Sequence, residues 1–425
     1  MTSPGGSDRP CVVITYPYPL GQVSGGSRMT REIARHLGRL GVDVIVLPIS
    51  TNGLSRHWPR EPGPENELGF EFDEELARDG VEVRRVPMHP IHNYLDGRCV
   101  RKVLADLLAE RRIDVVLSYW HEAGFLPGFL KARGVHFGFI ATWQTYSMLD
   151  KWPKRWGKGP VAELRRLWKK WVFVRYIQRP YQLAEVCFAT SDHTRRELMQ
   201  YAHVADERIV VNYLGVDERF LELPLGAAPV PGEPTRILFF GRIVPEKGFL
   251  DALEALGQIA RAGNRNWHFK LLGDGRHEWA REKATEEGIA DLVTTGPPVG
   301  DEELGRELQA AHFALMPSHS ESFGLSFAEA QAAGVPIVTF AVASLPEVIE
   351  DGVTGWLAEF RNIDALAACI ERAMEDPDAT RAAGEAGRRR VRERFTWGTT
   401  ARVLHDELTA RGMLPATAGS AERGR

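Results

Sequence analysis

Cysteine is scarce in this sequence, and no long apolar run occurs. The four cysteines lie far apart, without a C-x-x-C pair; they are Cys11, Cys99, Cys187 and Cys369. This spacing argues against a zinc-binding or disulfide-rich class and fits a reducing cytoplasm. No stretch approaches the roughly 18 apolar residues of a membrane-spanning helix, and the first ten residues lack an apolar signal segment. We therefore expect neither a membrane span nor a secretion signal.

An excess of charge of one sign is also lacking. The net charge is −4, from 53 Lys and Arg against 57 Asp and Glu, which excludes bulk attraction to nucleic acid. Hydrophobic residues make up 44% and charged residues 26%, so collagenous and disordered classes are excluded as well. A chain of 425 residues is long enough for two or three domains, each with its own core.

Short β-branched runs alternate with helical patterns, which is typical of βαβ units and a mainly parallel sheet. We expect strands at Cys11–Thr15, Asp43–Ile49, Val81–Val86, Asp114–Ser118, Val135–Ala141, Val186–Thr190, Arg236–Phe240, Trp267–Leu272, Leu292–Thr295, His312–Met316 and Pro336–Thr339. A stretch rich in Pro, Gly and Ala separates the first six from the last five. The pattern therefore predicts an α/β protein with two Rossmann-like domains.

The predicted domain boundaries follow from these composition changes. They give a disordered N-terminus at 1–10, an N-terminal Rossmann-like domain at 11–222, a linker at 223–234, a C-terminal Rossmann-like domain at 235–396, a helix at 397–414 that could pack back on the N-terminal domain, and a disordered tail at 415–425.

Two long segments interrupt the alternation in the N-terminal half. Thr51–Gly80 is expected to be a loop, either solvated or gating a substrate. The segment 151–181 holds ten Lys or Arg against one acid, Glu163, with seven aromatic residues interleaved. Such a basic helix is typical of contact with an anionic membrane surface or an anionic acceptor. The alternative is a helix with its aromatic side chains in the core and its charges in solvent.

The segment 317–357 is the most informative. After a predicted strand and a short loop, a helix begins near Gly324, and its first N–H groups are suited to bind a phosphate. Glu321 lies in the loop and Glu329 on the helix, about 12 Å of helix rise further on. Two carboxylates at this separation fit a nucleotide-sugar, with one at the sugar and one at the ribose. The alternative for Glu329 is a surface helix residue.

Two glycine-containing turns follow predicted strands and precede predicted helices. In the turn 241–248, Arg242 and Lys247 lie where ligands bind in open α/β sheets, and two cations there can neutralise a leaving diphosphate. In the first half, Gly25 and Gly26 would let the backbone approach a ligand closely. A plain tight turn is the alternative for Gly25-Gly26.

Together these motifs resemble the family 4 glycosyltransferases of GT-B architecture, from Val12 to about Trp397. The resemblance rests on the E-x7-E segment, the Gly-Arg…Glu-Lys-Gly turn and three further motifs in the family's order, namely Leu272-Gly273-Asp274-Gly275, Asn212…Gly215-Val216-Asp217…Phe220 and Phe395-Thr396-Trp397. It implies two Rossmann-like domains facing across a cleft. It also implies a nucleotide-sugar as co-substrate, with no further cofactor and no metal.

The resemblance also implies roles for individual residues. Glu321 would contact the donor sugar hydroxyls, Glu329 the ribose, and Arg242 and Lys247 the diphosphate. The remaining residues that it assigns are the backbone amides of Gly324 and Leu325 at the donor, and Gly25, Gly26 and His121 beside the transferred sugar. A structural loop histidine is the alternative for His121.

Some positions depart from the family's pattern. Trp143-Gln144 replaces a common histidine, and Ala343-Ser344 stands where many members have Gly-Gly. Both positions, and the nearby Glu347, are therefore left out of the predicted site. The one D-x-D string, Asp376-Pro377-Asp378, is expected to cap a helix rather than bind a metal.

The sequence thus predicts a retaining transfer of a hexosyl group from a nucleoside-diphosphate sugar to an acceptor hydroxyl. A UDP-sugar is favoured over GDP-mannose, and the acceptor is expected to be anionic or lipid-linked. The alternatives are a non-catalytic nucleotide-sugar-binding protein and other nucleotide-sugar chemistry such as epimerisation. The missing G-x-G-x-x-G after the first strand disfavours an NAD enzyme. The expected location is cytoplasmic, with contact at the inner membrane face through 151–181.

Overall fold

The computed structural model describes residues 9–20, 25–50, 68–89, 95–141, 178–226 and 232–415, with Leu164, Leu167, Trp168, Trp171 and Val174 from the stretch between. The chain divides into two compact units, the first formed by Met1–Tyr213 and Trp397–Arg425 and the second by Leu214–Thr396. Among the described residues, no helix combines the length and the apolar character needed to cross a membrane.

Each unit is built on a parallel β-sheet. The first sheet contains β1 (Cys11–Tyr16), β2 (Asp43–Ser50), β3 (Glu82–Val83), β4 (Val86–Pro87), β5 (Val115–Ser118), β6 (His136–Ala141), β7 (Val186–Ala189) and β8 (Ile209–Val211). The second contains β9 (Thr235–Phe240), β10 (Trp267–Leu272), β11 (Val293–Gly296), β12 (Phe313–Leu315), β13 (Ile337–Phe340) and β14 (Gly355–Ala358).

The strand order creates one crevice in each sheet. The first sheet has the order β3-β2-β1-β5-β6-β7-β8, with β4 beside β2, and the second has the order β11-β10-β9-β12-β13-β14. The order reverses between β1 and β5 and again between β9 and β12. In open α/β sheets, ligands bind beyond the carboxyl ends of the two strands at this reversal. The segments that follow these four strands are therefore the candidate site regions.

Helices cover the sheets. They are α1 (Gly25–Arg39), α2 (Leu68–Arg78), α3 (Asp96–Glu110), α4 (Pro127–Lys131), α5 (Arg179–Leu183), α6 (Asp192–Glu197), α7 (Glu218–Glu222), α8 (Phe249–Arg261), α9 (His277–Glu286), α10 (Asp301–Ala310), α11 (Leu325–Ala332), α12 (Leu345–Val348), α13 (Ile363–Glu375), α14 (Pro377–Arg394) and α15 (Trp397–Ala410). α15 packs against α1 within the first unit. The predicted domain boundaries remain predictions.

Burial explains why these segments form strands and helices. All six residues of β1 are buried, as expected for a strand covered on both faces, and such strands read as continuous apolar runs. In α1, Ile33 and Leu37 are buried one turn apart, and Gly41 follows the helix with φ of +86°. That left-handed conformation favours glycine and ends the helix.

The predicted strands coincide with observed strands to within one or two residues, with one exception. The expected strand Val81–Val86 divides into β3 and β4. Two short strands, β8 and β14, are not predicted. The expectation of a loop over Thr51–Gly80 is wrong for its last part, where α2 forms, and 51–67 lies outside the described residues.

Candidate active site

The turn after β9 and the loop after β12 begin at the reversal point of the second sheet. β9 and β12 are hydrogen-bonded neighbours, so the segments leaving their carboxyl ends start side by side. A single helical turn, Pro245–Lys247, ends at Gly248, whose φ is +75°. A Cβ on Gly248 would lie 1.8 Å from the carbonyl oxygen of Pro317, so only glycine fits there. The two segments are thus in direct backbone contact.

This contact brings two predicted site residues together. Lys247 Nζ lies 2.5 Å from Glu321 Oε1, and both side chains are largely buried. Ser318 Oγ donates to the same carboxylate oxygen over 2.8 Å. Ser344 Oγ, at the start of α12, donates to the backbone carbonyl of Glu321 over 3.0 Å. The Glu321 carboxylate is therefore held by a cation and a hydroxyl, on a loop fixed from the other side.

A second pair, absent from the sequence-based site, joins the same two segments. His319 Nε2 lies 2.5 Å from Asp251 Oδ2 on the first turn of α8, and the His319 N–H donates to the Glu246 carbonyl over 2.9 Å. The His319 ring also packs edge-on against Phe360. No fixed spacing connects His319 with Asp251, so only the fold reveals this pair. These contacts fix the loop that carries Glu321 (the Glu321 loop) relative to the turn that ends at Lys247 (the Lys247 turn).

The start of α11 supplies the third part of the site. Gly324 precedes the helix with φ of +93°, and its Cβ position is crowded by Phe327 and Leu345. No side chain caps this helix start, and its first turn, from Leu325 onward, carries no acidic residue. Backbone N–H groups at such a start favour an anion. Glu329 lies further along α11 and is buried, so the alternative of a surface helix residue is wrong.

Arg242 is not brought into this cluster. Its side chain is exposed and makes no ion pair with the described residues. The Arg242 backbone carbonyl accepts the Val244 N–H, so the arginine lies at the opening of the turn that ends at Lys247. Of the predicted diphosphate cations, Lys247 is partly buried beside Glu321 and Arg242 remains on the surface.

In the first unit, His121 begins a short helical turn after β5. The ring is buried, and its Nε2 lies 3.5 Å from Asp96 Oδ2 on α3. The neighbouring Glu122 is fully buried and accepts from the N–H groups of Tyr119 and Trp120 at 2.7 and 3.0 Å. Burial raises the pKa of Glu122, while His121 and these N–H groups lower it. Glu122 and Asp96, neither of them predicted, hold the loop that carries His121.

Gly25 and Gly26 form the start of α1, which follows β1 at the reversal point of the first sheet. A Cβ on Gly26 would lie 2.9 Å from the hydroxyl oxygen of Tyr16, so a larger residue there would have to displace the end of the Tyr16 side chain. The structure therefore places His121, Gly25 and Gly26 in the first unit and the other six predicted residues in the second.

The departures from the family's pattern have different outcomes. Trp143-Gln144 lies outside the described residues. Ala343 adopts φ of +52°, the left-handed conformation that glycine adopts most readily. Asp376 Oδ1 accepts from the Ala379 N–H over 2.9 Å, so the prediction of a helix cap is confirmed. Within the described part of the chain, no group of three or more His, Cys, Asp or Glu could hold a metal ion.

The fold and the comparisons define the class of protein. Residues 23–220 match the family described as Glycosyltransferase Family 4, and residues 227–390 match Glycosyl transferases group 1. Solved structures with the same fold include sucrose-phosphate synthase from Thermosynechococcus elongatus, with a TM-score of 0.70 at 19% identity over 95% of this chain and 100% of that one. Anabaena HepE in complex with UDP and glucose gives 0.67 at 16%, over 95% and 100%. The fold is therefore GT-B, with two Rossmann-like domains.

Curated relatives identify the family of this chain. The D-inositol 3-phosphate glycosyltransferase of Streptomyces griseus is 39% identical over 95% of this chain and 93% of its own length. The protein with the same description from Thermobispora bispora is 29% identical, over 92% and 90%. This chain belongs to the family 4 glycosyltransferases and is an enzyme of that class.

Proposed function

We propose that this enzyme transfers a hexosyl group, with retention of configuration, from a nucleoside-diphosphate sugar to an acceptor hydroxyl. The observation that carries this proposal is the contact between Lys247 and Glu321 beside the uncapped start of α11. A cation, a helix start and a carboxylate in one cluster match the diphosphate and the sugar of such a donor. UDP is the favoured nucleotide, with GDP, as in GDP-mannose, as the second choice.

Each part of the cluster has a role in donor binding. Lys247 and the N–H groups at Leu325 bind diphosphate oxygens, and Arg242 approaches them from the surface. The second oxygen of Glu321 accepts sugar hydroxyls, while the first stays with Lys247 and Ser318. Glu329 binds the ribose. Because Lys247, Arg242 and the Leu325 N–H groups stabilise the negative charge that grows on the diphosphate during bond cleavage, they lower the barrier to transfer.

The proposed chemistry proceeds on one face of the sugar. The bond from the anomeric carbon to the β-phosphate oxygen breaks, and its electron pair stays on the diphosphate. The acceptor oxygen forms the new bond on the same face, and its proton passes to the departing phosphate oxygen. A double displacement would need a carboxylate nucleophile close to the sugar, and the assigned residues offer only Glu321 on that side.

His121, Gly25 and Gly26 are proposed as contacts of the transferred sugar. His121 is buried at the carboxyl end of β5, which is the crevice position in its own sheet. Changing His121 to Ala is expected to lower kcat at least tenfold, because a sugar contact is lost. An unchanged kcat would leave His121 as a structural loop histidine.

The acceptor is proposed to be a phosphorylated polyol or another anionic hydroxyl compound. This proposal is supported by the curated relatives, which are described as D-inositol 3-phosphate glycosyltransferases. We also propose that the enzyme works in a cytoplasmic compartment, peripheral to the inner membrane face. Turnover with inositol 3-phosphate, compared with unphosphorylated inositol, tests the acceptor class.

Thermal-shift measurements with UDP, GDP, ADP and their sugars identify the donor. A ligand at about 100 times its Kd stabilises the folded protein by roughly 2.7 kcal/mol, which is easily resolved. NMR of the product then gives the anomeric configuration. An α-linked product from an α-linked donor is expected, and an inverted product contradicts the proposed chemistry. An epimerised donor without transfer would support the alternative activity, and binding without turnover a non-catalytic role.

Metal independence is part of the proposal. Lys247, Arg242 and the start of α11 supply the positive charge at the diphosphate. We expect turnover to be unchanged in excess EDTA. Loss of turnover that Mg²⁺ or Mn²⁺ restores would show that these groups do not neutralise the leaving group.

A further inference from the structure

Exposed apolar side chains are concentrated in one short part of the first unit. Leu164, Leu167, Trp168, Trp171 and Val174 have 69, 58, 52, 57 and 43% of their surface exposed. They are five of the ten large apolar residues that are exposed in the described part of the chain. Single exposed apolar residues are common on protein surfaces, but a contiguous group marks an interaction site. We refer to these five residues as the 164–174 stripe.

The stripe has helical spacing. Leu164, Leu167, Trp168 and Trp171 have helical backbone and follow one another at intervals of three, one and three residues. At about 100° per residue, these four positions fall within an arc of about 100° on a helix. By contrast, Tyr181 at the end of the segment 151–181 is buried, and its hydroxyl donates to the Tyr119 carbonyl. The alternative of a helix with its aromatic side chains in the core therefore agrees with the burial of Tyr181, but it is wrong for Trp168 and Trp171, which are exposed.

The sequence around the stripe is strongly basic. Arg165, Arg166, Lys169 and Lys170 occupy the positions between the stripe residues, and the whole segment 151–181 carries a net charge of +9. An exposed apolar arc with tryptophan, interspersed with Lys and Arg, has the composition of helices that lie in the interface of an anionic bilayer.

We propose that the 164–174 stripe docks this enzyme on an anionic lipid surface, with Trp168 and Trp171 entering the interfacial layer and the neighbouring basic residues contacting lipid headgroups. The proposal rests on the peripheral location proposed above and deepens it by naming the docking surface, which contains none of the donor-site residues. The vesicle-binding measurement that tests it likewise needs no sugar substrate.

Charge and exposure favour a membrane over the other candidate partners. In a symmetric dimer through this surface, two segments of +9 would face each other, and like charges oppose such contact. A soluble anionic acceptor would be bound by the basic residues but gives no reason for five exposed apolar side chains. An anionic lipid surface accounts for both the apolar and the basic residues.

The test is co-sedimentation of the full chain with phosphatidylcholine vesicles, with and without phosphatidylglycerol, at low salt and at 0.5 M salt. Three variants are compared with the wild type. They are the stripe variant W168S/W171S, the charge variant R165E/R166E/K169E/K170E and the control M199S/V353S, which changes two exposed apolar residues outside the stripe. Quenching of tryptophan fluorescence by brominated lipid reports insertion directly, and circular dichroism verifies that each variant is folded.

Wild type and control are expected to bind only the anionic vesicles, with partial loss of binding at 0.5 M salt. The stripe variant should bind about tenfold more weakly at both salt concentrations and lose most of the quenching, because each tryptophan buries apolar area. The charge variant should lose the part of vesicle binding that 0.5 M salt removes from wild type. Equal binding by wild type and stripe variant, or no vesicle binding by wild type, overturns the proposal.

Two further outcomes would also overturn it. In the first, wild type does not bind vesicles, sedimentation equilibrium shows a dimer, and W168S/W171S is a monomer. This result would show that the stripe binds a second copy of the chain. In the second, both variants bind vesicles as wild type does but turn over a soluble phosphorylated acceptor more slowly. This result would show that the segment 151–181 binds the acceptor. Turnover measured without vesicles distinguishes either outcome from a failure of the proposed glycosyl transfer.

Discussion

Lys247 Nζ lies 2.5 Å from Glu321 Oε1, although 74 residues separate the two side chains in the sequence. The contact forms because β9 and β12 are neighbours and the turn at Gly248 rests on Pro317. A group predicted for the diphosphate and a group predicted for the sugar are thus parts of one cluster. We therefore propose that one cluster recognises both the diphosphate and the sugar of the donor.

Lys247→Ala is expected to weaken binding of UDP by about 1.5–3 kcal/mol, the contribution of a hydrogen bond to a charged group. Arg242→Ala should act in the same direction. Isothermal titration calorimetry with UDP measures both. The matched control is Lys270→Ala, which removes a lysine paired with Glu307 at 2.6 Å in the same unit. If Lys247→Ala binds UDP as tightly as the control does, the diphosphate lies elsewhere.

His319→Ala and Asp251→Asn are each expected to weaken UDP binding about tenfold, because either change removes one of the contacts that fix the Glu321 loop against the Lys247 turn. The double variant should be no weaker than each single variant, since both remove one contact. His277→Ala is the control for loss of a histidine in this unit. If the losses of UDP affinity in the two single variants add up in the double variant, His319 and Asp251 act independently. The pair would then not position the Glu321 loop.

Ala343→Gly is expected to raise the free energy of unfolding by about 0.5–1 kcal/mol. The left-handed backbone at Ala343 costs about 1–2 kcal/mol for a residue with a Cβ, and the greater flexibility of glycine in the unfolded chain offsets part of the gain. Urea unfolding measures the change, with Ala341→Gly as the control that should not stabilise. Destabilisation by Ala343→Gly would argue against strain at this position.

His312 makes the second unit sensitive to acid. Burial, with a contribution from Arg236, lowers the pKa of His312 to about 4 in the folded protein. Between pH 6.5 and about 4, His312 therefore binds a proton in the unfolded chain but not in the folded chain. The free energy of unfolding falls as the pH falls through this range. The slope from one such group is at most about 1.4 kcal/mol per pH unit.

His312→Asn tests this pH dependence, because its side-chain oxygen replaces Nδ1 as acceptor for the Arg236 N–H. Urea unfolding at several pH values should show a shallower loss of stability between pH 6.5 and 4 than in wild type. The same slope in His312→Asn and wild type would remove His312 as the cause.

Much of the fold could be predicted from the sequence because buried parallel strands read as continuous apolar runs, as β1 does with all six residues buried. β8 has three residues and β14 has four, which is too short for a clear pattern. α2 was missed because the acidic, glycine- and proline-punctuated stretch before it resembles a loop. Length and local composition therefore set the limit for secondary structure.

Only some residues of the candidate site could be predicted from the sequence. Lys247 and Glu321 could be predicted because each follows a strand in a recognisable motif. His319, Asp251 and Ser344 could not, since their contacts depend on how two turns meet in space and no spacing in the sequence records that. The exposure of Trp168 and Trp171 is likewise a property of packing, which the sequence left open.

The most direct test of the central claim is transfer by Glu321→Gln. Glutamine keeps the shape and one acceptor oxygen beside Lys247 but removes the negative charge near the sugar, where the transition state becomes cationic. We predict that kcat for hexosyl transfer is lost while calorimetry finds donor affinity within about threefold of wild type. The control Glu307→Gln, from the ion pair with Lys270, should keep both. Transfer by Glu321→Gln at the wild-type kcat would contradict the assignment of Glu321 to the active site.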